Sequence, residues 1–287
     1  MVEISCIIPT YNRSPILLKT LKGLVRQTYS EPFEIIIIDD GSTDKTWNIV
    51  DDYIKGYKEV RIIWQLIHQE NKGPSAARNK GIINARGKYI LFLGDDTIPD
   101  DKLLQEHLGV LQKDDDICSL GIVKWHPDAK NENLKAFKIA GIQIDYAHIG
   151  SPEDCAFTYF CTANVGLSKK LLLEERFDEN FPYAAMEDTD LGYRLAKRGL
   201  KIFLNQKAIV YHLHHYDEKD IIARQETIGK SVAFLIKKNP ELNHQFIKTN
   251  AKAIFMLSAI LVKLPFIKMI SKDLYWLALS TYSKYKY

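Results

Sequence analysis

Four short apolar runs, each followed by a polar loop and then by a helical pattern, constrain the fold of this chain more than any other feature. The runs span residues 4–8, 33–38, 60–67 and 89–93. Strands that alternate with helices are typical of a parallel sheet, because each helix returns the chain to the edge where the next strand starts. The first third of the sequence therefore predicts an α/β fold, with a mostly parallel sheet flanked by helices.

The segments between these runs begin with residues that favour helix starts. Ser14-Pro15 suit the cap and first turn of one helix, residues 41–44 supply cap-type side chains for a second, and Gly73-Pro74 opens a third. In open α/β sheets, ligands bind beyond the carboxyl ends of the strands. The loops that follow the apolar runs are therefore where the sequence predicts a site.

Further elements are predicted beyond residue 100. Four more strands are expected from short apolar segments, at 117–125, 157–165, 201–204 and 208–211. Two helices are expected at 168–175 and 187–197, and Gly199 stops the second. These elements complete the predicted α/β domain.

The predicted domain boundary lies at residue 216, which separates an α/β domain (1–216) from a helical C-terminal appendage (217–287). Residues 251–270 are apolar but contain three lysines and a proline. A membrane-spanning helix needs about 20 predominantly apolar residues, and this segment falls short. Peripheral membrane contact through 251–287, a core helix of the appendage and a face for a homo-oligomer all stay open.

Charge and cysteine usage exclude several classes of protein. A net charge of +3 is too small to indicate a nucleic-acid partner. The four cysteines have no CxxC spacing, so neither a zinc site nor a disulfide framework is expected. The N-terminal residues lack the pattern of a secretory signal. The sequence thus favours a cytoplasmic protein, with peripheral attachment to the inner face of the membrane as an open alternative.

Two of the apolar runs end in paired carboxylates, Asp39-Asp40 and Asp95-Asp96. Mg²⁺ and Mn²⁺ take carboxylate, phosphate and water oxygens as ligands. A carboxylate can also accept a hydrogen bond from a base or a ribose hydroxyl. Helix capping is the alternative for each pair taken alone. Because both pairs end strands of one predicted sheet, a combined nucleotide and metal site is favoured.

Five motifs resemble, in order and spacing, the family 2 glycosyltransferases, which have the Rossmann-like GT-A fold. They are CIIPTYNR, IIIIDDGSTD, ENKGPSAARNKGI, YILFLGDDTIPD and MEDTDLGYRLAKRG. The resemblance covers about residues 1–215. It implies an inverting hexosyl or related transferase that moves a sugar from a nucleotide diphosphate donor, expected to be a UDP-sugar, to a hydroxyl of a glycan or lipid-linked acceptor.

The resemblance also implies a donor and metal site. The residues expected to bind the donor nucleotide are Pro9, Thr10, Tyr11, Arg13, Asp39, Asn71, Arg78 and Asp95. Asp39 is expected to pair with uracil, and Asp96 and His212 are expected to hold Mn²⁺ or Mg²⁺. Gly94 stands where the family's DxD motif has its first acidic residue, so the diphosphate, water or another side chain is expected to complete the metal's coordination. For His212, an ordinary strand-end histidine is the alternative.

Asp188 lies in the last motif, and the resemblance makes it the general base that takes the proton of the acceptor hydroxyl. An ordinary Asp pKa of about 3.9 is expected to keep it ionised. Trp125, Asn164 and Glu187 are expected to contact the acceptor, and Tyr183 the acceptor or the donor sugar. Packing, turn formation and helix capping are the alternatives for these residues.

Two other functions stay open at the level of sequence. One is a second kind of transferase, either retaining or acting on a lipid phosphate. The other is a non-catalytic protein that binds nucleotide sugars or acts as a scaffold. The presence of carboxylates at 39, 96 and 188 favours the enzyme over the scaffold.

Overall fold

The computed structural model describes residues 2–129, 144, 146, 149–182 and 184–246. The chain folds into two compact units. Among the described residues, the first unit holds 2–129, 149–179 and 187–214, and the second holds 144, 146, 180–182, 184–186 and 215–246. The predicted boundary at 216 and the predicted appendage up to 287 stay predictions, since residues 247–287 lie outside the described part.

The first unit is built on one eight-stranded sheet with the order β3-β2-β1-β4-β7-β6-β8-β5. The strands are β1 (Ile4–Thr10), β2 (Phe33–Asp40), β3 (Ile62–Gln69), β4 (Tyr89–Leu93), β5 (Thr97–Pro99), β6 (Ile117–Trp125), β7 (Asn164–Ser168) and β8 (Lys201–His212). Strands β1 to β4 run parallel, β7 is antiparallel to both β4 and β6, β8 is parallel to β6, and β5 is antiparallel to β8. The predicted mostly parallel sheet is confirmed.

The helices of the first unit are α1 (Ser14–Val25), α2 (Thr46–Lys55), α3 (Pro74–Asn84), α4 (Leu103–Leu111), α5 (Lys169–Glu174) and α6 (Glu187–Lys197). A proline in the first turn starts α1 and α3, as the sequence predicts. The side chains of Leu17, Leu21 and Leu24 in α1 pack into the core that β1, β2 and β4 share. All eight residues of β2 are buried, as in parallel strands covered by helices.

Gly41 forms the sharp turn that follows the carboxylates of β2. Its φ of +75° lies in the left-handed region, which glycine adopts without the steric cost of a Cβ. A Cβ at this position would lie 2.6 Å from the backbone nitrogen of Asn71. The loops after β2 and β3 can therefore approach each other only because residue 41 is glycine.

Two predicted strands differ in the structure. Residues 157–165 do not form a continuous strand, because Phe157–Tyr159 is a 3₁₀ turn and β7 begins only at Asn164. The strands predicted at 201–204 and 208–211 are one strand, β8, whose register against β6 shifts between Gly121 and Ile122. Strand β5 and helix α4 were not predicted.

The second unit is centred on a long helix, α7 (Glu218–Lys238), followed by a 3₁₀ turn (Pro240–Leu242) and α8 (Asn243–Phe246). A capping box starts α7, in which the side chains of Asp217 and Asp220 each accept the other's backbone N–H. Within the part of this unit that is described, no helix has both the length and the apolar character needed to cross a membrane. The segment 251–287, predicted to contact membrane, lies outside the described residues.

His107 joins α4 to β6 and β7 inside the first unit, where its side chain is fully buried. Its Nε2 lies 2.8 Å from Asn164 Oδ1, and its Nδ1 lies 2.9 Å from Ser119 Oγ. Asn164 Nδ2 donates to the carbonyl oxygens of Ile122 and Ala208, so Asn164 Oδ1 is an acceptor. His107 therefore donates through Nε2 and accepts from the serine hydroxyl through Nδ1.

Folding stability is expected to fall as the pH drops from about 6.5 to about 4 because of His107. Burial lowers the pKa of His107 to about 4, whereas the unfolded chain takes up the proton near 6.5. The unfolded state thus binds more protons across this window, and the loss from this residue is on the order of 3 kcal/mol. Urea unfolding at several pH values should show a shallower pH dependence in His107→Gln than in the wild type. Equal slopes would contradict this prediction.

Candidate active site

The carboxyl ends of β1, β2 and β3 lie in register, with Thr10 opposite Asp39 and Asp39 opposite His68. Asp39 is only 1% exposed. Its Oδ1 accepts from Ser42 N at 3.1 Å, and its Oδ2 pairs with His68 Nδ1 at 2.9 Å. His68 was not predicted, although its position just after the third apolar run was a usable signal. This row of side chains forms one edge of the candidate site.

The loop after β1 is tied to the loop after β2 through Asn12. Asn12 adopts a positive φ of 54°, and its Oδ1 accepts from the backbone N–H groups of Thr43 and Asp44. Its own backbone N–H donates to Ser42 Oγ. Beside it, Tyr11 is 41% exposed. The loop held by these hydrogen bonds thus presents the accessible ring of Tyr11, which can stack on a flat ligand such as a base.

The other carboxylate at the end of β2 has a structural role. Asp40 accepts from the backbone N–H groups of Lys72 and Gly73, each at 2.9 Å, and so fixes the loop that leads into α3. Asn71 is exposed in this loop. Pro9 is half-buried within β1. Of the two residues predicted to bind the donor here, Asn71 is thus more accessible to a ligand than Pro9.

Asp95 and Asp96 follow β4 and are both buried. Arg13 bridges them, with Nη1 2.8 Å from Asp95 Oδ1 and Nη2 2.8 Å from Asp96 Oδ2. The hydroxyl of Thr10 also donates to Asp95 Oδ2 at 2.9 Å. The structure therefore joins the loop after β1 to the loop after β4 through charged hydrogen bonds.

Two histidines at the end of β8 complete a group that could hold a metal ion. His212 Nε2 lies 3.2 Å and His214 Nδ1 3.4 Å from Asp96 Oδ2. The three donor atoms lie within 4.8 Å of one another. Two imidazole nitrogens and a carboxylate oxygen suit a transition-metal ion better than Mg²⁺, which prefers oxygen ligands. His214 was not predicted, and its signal was the alternation in the sequence His212-Leu213-His214.

The two carboxylates of this site differ in acidity. Burial raises the pKa of Asp95 to about 7; Arg13 opposes this shift and the negative charge of Asp96 adds to it. Burial also disfavours ionisation of Asp96, but hydrogen bonds from His212 and His214 hold its pKa well below the usual range. Asp96 is therefore the carboxylate that carries a full negative charge at neutral pH.

Trp125 lies against the histidines. It is opposite His212 in the sheet, and its ring stacks on the imidazole with a centroid distance of 4.9 Å. His212 and His214 stack in turn, with centroids 5.8 Å apart. Trp125 thus supports the orientation of a candidate metal ligand, and contact with an acceptor stays a prediction for it.

Asp188 stands at the start of α6 with a partly exposed side chain. Its carboxylate accepts from Thr189 N at 2.8 Å and from Thr162 N at 3.4 Å. The neighbouring Ala163 O accepts from Gly94 N, so the same segment contacts the Asp95-Asp96 loop. Burial, together with the charge of Glu187, raises the pKa of Asp188 to about 6. The ordinary value expected from the sequence was therefore wrong.

Other predicted site residues are held within the protein. Glu187 is buried, and its Oε1 accepts from Arg78 Nη1 at 2.9 Å, which ties α3 to α6. Further along the same helix, Asp190 is fully buried and accepts from Arg194, a structural role. Asn164 is also fully buried, and its amide bonds described above leave it a packing role rather than the expected acceptor contact. Tyr183 lies outside the described residues.

Comparison with known proteins places this arrangement in a family. The family model described as "Glycosyl transferase family 2" matches residues 5–173, more than half of the chain. The chain belongs to glycosyl transferase family 2. The resemblance seen in the sequence motifs is thereby confirmed, and the match includes both carboxylate-ended strands β2 and β4.

Solved structures share the fold of this family 2 glycosyl transferase. A mannosyltransferase, PcManGT from Pyrobaculum calidifontis in complex with GDP-Man and Mn²⁺, matches with a TM-score of 0.64 at 15% identity over 98% of this chain and 86% of that one. S. aureus TarS 1-349 in complex with UDP matches with a TM-score of 0.59 at 18% identity, over 99% and 90%. These likenesses confirm the predicted GT-A fold.

Among curated relatives, the chondroitin synthase of Pasteurella multocida (strain Pm70) is 29% identical over 268 residues. The alignment covers 83% of this chain but only 27% of that protein. This chain thus corresponds to about a quarter of the relative's length.

Proposed function

We propose that this chain transfers a sugar from a nucleotide diphosphate sugar, with UDP as the nucleotide, to a hydroxyl of a glycan or lipid-linked acceptor, with inversion at the anomeric carbon. One observation carries the proposal. The first unit contains a loop suited to a nucleotide, a group of side chains suited to a metal ion and a carboxylate that can act as a base. Asp39, Asp96 and Asp188 represent these three parts. The chondroitin synthase relative favours a glycan acceptor.

The donor nucleotide is assigned to the ends of β1, β2 and β3. Tyr11 offers an exposed ring for stacking on the base. The family resemblance assigns the N–H of uracil to the carboxylate of Asp39 at the end of β2. His68, hydrogen-bonded to Asp39, holds that carboxylate in place. The UDP complex of TarS supports uridine, while the GDP-Man complex of PcManGT is the reason that guanosine nucleotides belong in the test.

Asp96, His212 and His214 would hold a divalent cation, Mn²⁺ in preference to Mg²⁺, which supplies positive charge to the departing diphosphate. Trp125 keeps the ring of His212 in its orientation by stacking on it. Asp188 accepts the proton of the acceptor hydroxyl as that oxygen bonds to the anomeric carbon. The bond from the anomeric carbon to the diphosphate breaks on the opposite face, so one displacement gives the inverted product.

A thermal-shift screen tests the donor and metal assignments. The purified chain is heated with UDP, GDP or their sugars, each with Mn²⁺, Mg²⁺ or EDTA, because a ligand that binds only the folded state raises Tm. The largest rise is expected with a uridine nucleotide and Mn²⁺. A larger rise with GDP would overturn uridine. Anomeric analysis of the product by NMR then tests inversion, and a retained configuration would refute the single displacement.

The rate of transfer is expected to fall below about pH 6. Because the base must be ionised, and burial raises the pKa of Asp188 to about 6, kcat/KM should drop about tenfold per pH unit below that value. In Glu187→Gln the neighbouring negative charge is gone, which lowers the pKa of Asp188, so the acid limb should move to lower pH. Profiles of both proteins measured between pH 4.5 and 8 test this. An unmoved limb would mean that another group causes it.

A further inference from the structure

The guanidinium of Arg13 contacts two of the candidate metal ligands, Asp96 and His214. Its Nη2 lies 2.8 Å from Asp96 Oδ2 and 2.9 Å from His214 Nδ1, and both residues belong to the group of three that could hold a metal ion. Its Nη1 binds Asp95 at 2.8 Å. One side chain thus carries a fixed positive charge into the place where the proposed function requires a cation.

A metal ion and this guanidinium cannot use these atoms together. A divalent transition-metal ion coordinates carboxylate oxygen and imidazole nitrogen at about 2.0–2.2 Å. Arginine stays protonated at any pH the protein experiences, so it repels a cation bound to Asp96 and His214. Metal binding therefore requires that Arg13 leave its present position.

The side chain of Arg13 can move away without a change in the backbone that carries it. Its side chain is 35% exposed, so it already contacts solvent in part. Its backbone is held independently, since its carbonyl oxygen accepts from Ile16 N and Leu17 N at the start of α1. A planar guanidinium binds phosphate oxygens in pairs, so a diphosphate bound at this site would offer Arg13 a partner of the same kind as the carboxylates it gives up.

We propose that Arg13 is an internal counter-ion that keeps free metal out of the site until a nucleoside diphosphate draws it away. The inference rests on the proposed function, because it needs the nucleotide and the cation to share this site. By linkage, each ligand then raises the affinity of the other by the same factor. Arg13 thereby couples metal binding to donor binding and leaves the acidic pair neutralised in the absence of donor.

Mn²⁺ binding measured by electron paramagnetic resonance of the free ion tests this without any turnover. In the wild type, Mn²⁺ is expected to bind at least about tenfold more tightly with UDP than without it. Arg13→Gln should bind Mn²⁺ about tenfold more tightly than the wild type when UDP is absent, and gain less from UDP. Arg13→Lys keeps a positive charge and should resemble the wild type. Arg26→Gln is the matched control, since Arg26 is exposed and pairs with Asp101.

The outcomes separate the two ideas. Equal Mn²⁺ affinity of the wild type and Arg13→Gln without UDP would overturn the role of Arg13 and leave the proposed function intact. Failure of the wild type to bind Mn²⁺ even with UDP would refute the metal assignment itself. Thermal unfolding establishes that Arg13→Gln is folded. If it is not, Arg13→Lys decides, because tight Mn²⁺ binding without UDP in that variant contradicts exclusion by charge.

Discussion

Asp188→Asn is expected to lower kcat for glycosyl transfer by about 10²–10⁴-fold, the usual contribution of a positioned general base. The amide keeps the size of the side chain but cannot take the proton of the acceptor hydroxyl. Asp188 makes its hydrogen bonds with the backbone N–H groups of Thr162 and Thr189, which are not assigned to the nucleotide or the metal, so Mn²⁺ and UDP affinities should be unchanged. Steady-state kinetics together with Mn²⁺ and UDP titrations measure both.

The control for this variant is Asp52→Asn on the exposed face of α2, which should leave kcat unaltered. A pH profile adds a second criterion, because the variant should lose the acid limb that the raised pKa of Asp188 gives the wild type. If the variant keeps most of the wild-type kcat, Asp188 is not the general base. One that loses UDP affinity in parallel would show a structural fault at the start of α6 instead.

The strand ends of the first unit could be predicted because two local signals coincide there. Apolar runs fix where β2 and β4 lie, and the abrupt change to Asp39-Asp40 and Asp95-Asp96 fixes where their ligand-facing ends lie. Both signals depend only on neighbouring residues. The fold class and the edge of the sheet that carries the candidate site follow from them.

The segment 157–165 could not be predicted in the same way, because a distant contact overrides its local preference. Its aromatic residues favour a strand, but they pack on α6. Phe160 approaches Gly192 so closely that a Cβ there would lie 2.6 Å from Phe160 Cβ, and the ring of Phe157 contacts that of Tyr193. This packing gives a 3₁₀ turn in place of the predicted strand.

The chemistry of the site is harder to obtain from sequence than its location. Arg13 and Asp95 are 82 positions apart, so their ion pair is invisible to spacing arguments. The raised pKa of Asp188 arises from burial and from the adjacent Glu187, and burial is a property of the folded unit. The motifs were therefore enough to identify candidate residues. Their hydrogen-bond partners and pKa values could be obtained only from the structure.

Asp96→Asn is expected to lower kcat by on the order of 10³-fold, because a bound cation contributes several kcal/mol to stabilising the charge of a leaving group. Both histidines lie close to Asp96 Oδ2, so the variant loses the carboxylate ligand that stands beside the two imidazole ligands. Mn²⁺ binding in the presence of UDP should be lost with it. Kinetics over a range of Mn²⁺ concentrations and paramagnetic resonance of free Mn²⁺ measure these two effects.

Asp101→Asn is the matched control, since Asp101 lies five positions further along, beyond β5, and is exposed and paired with Arg26. The decisive comparison is between metal binding and turnover. If Asp96→Asn loses both, Asp96 holds the cation. If it loses Mn²⁺ but keeps wild-type turnover in EDTA, catalysis does not depend on a metal, and Arg13, freed from Asp96, becomes the positive group that faces the diphosphate. The same variant therefore decides whether leaving-group charge is met by a metal ion or by the guanidinium.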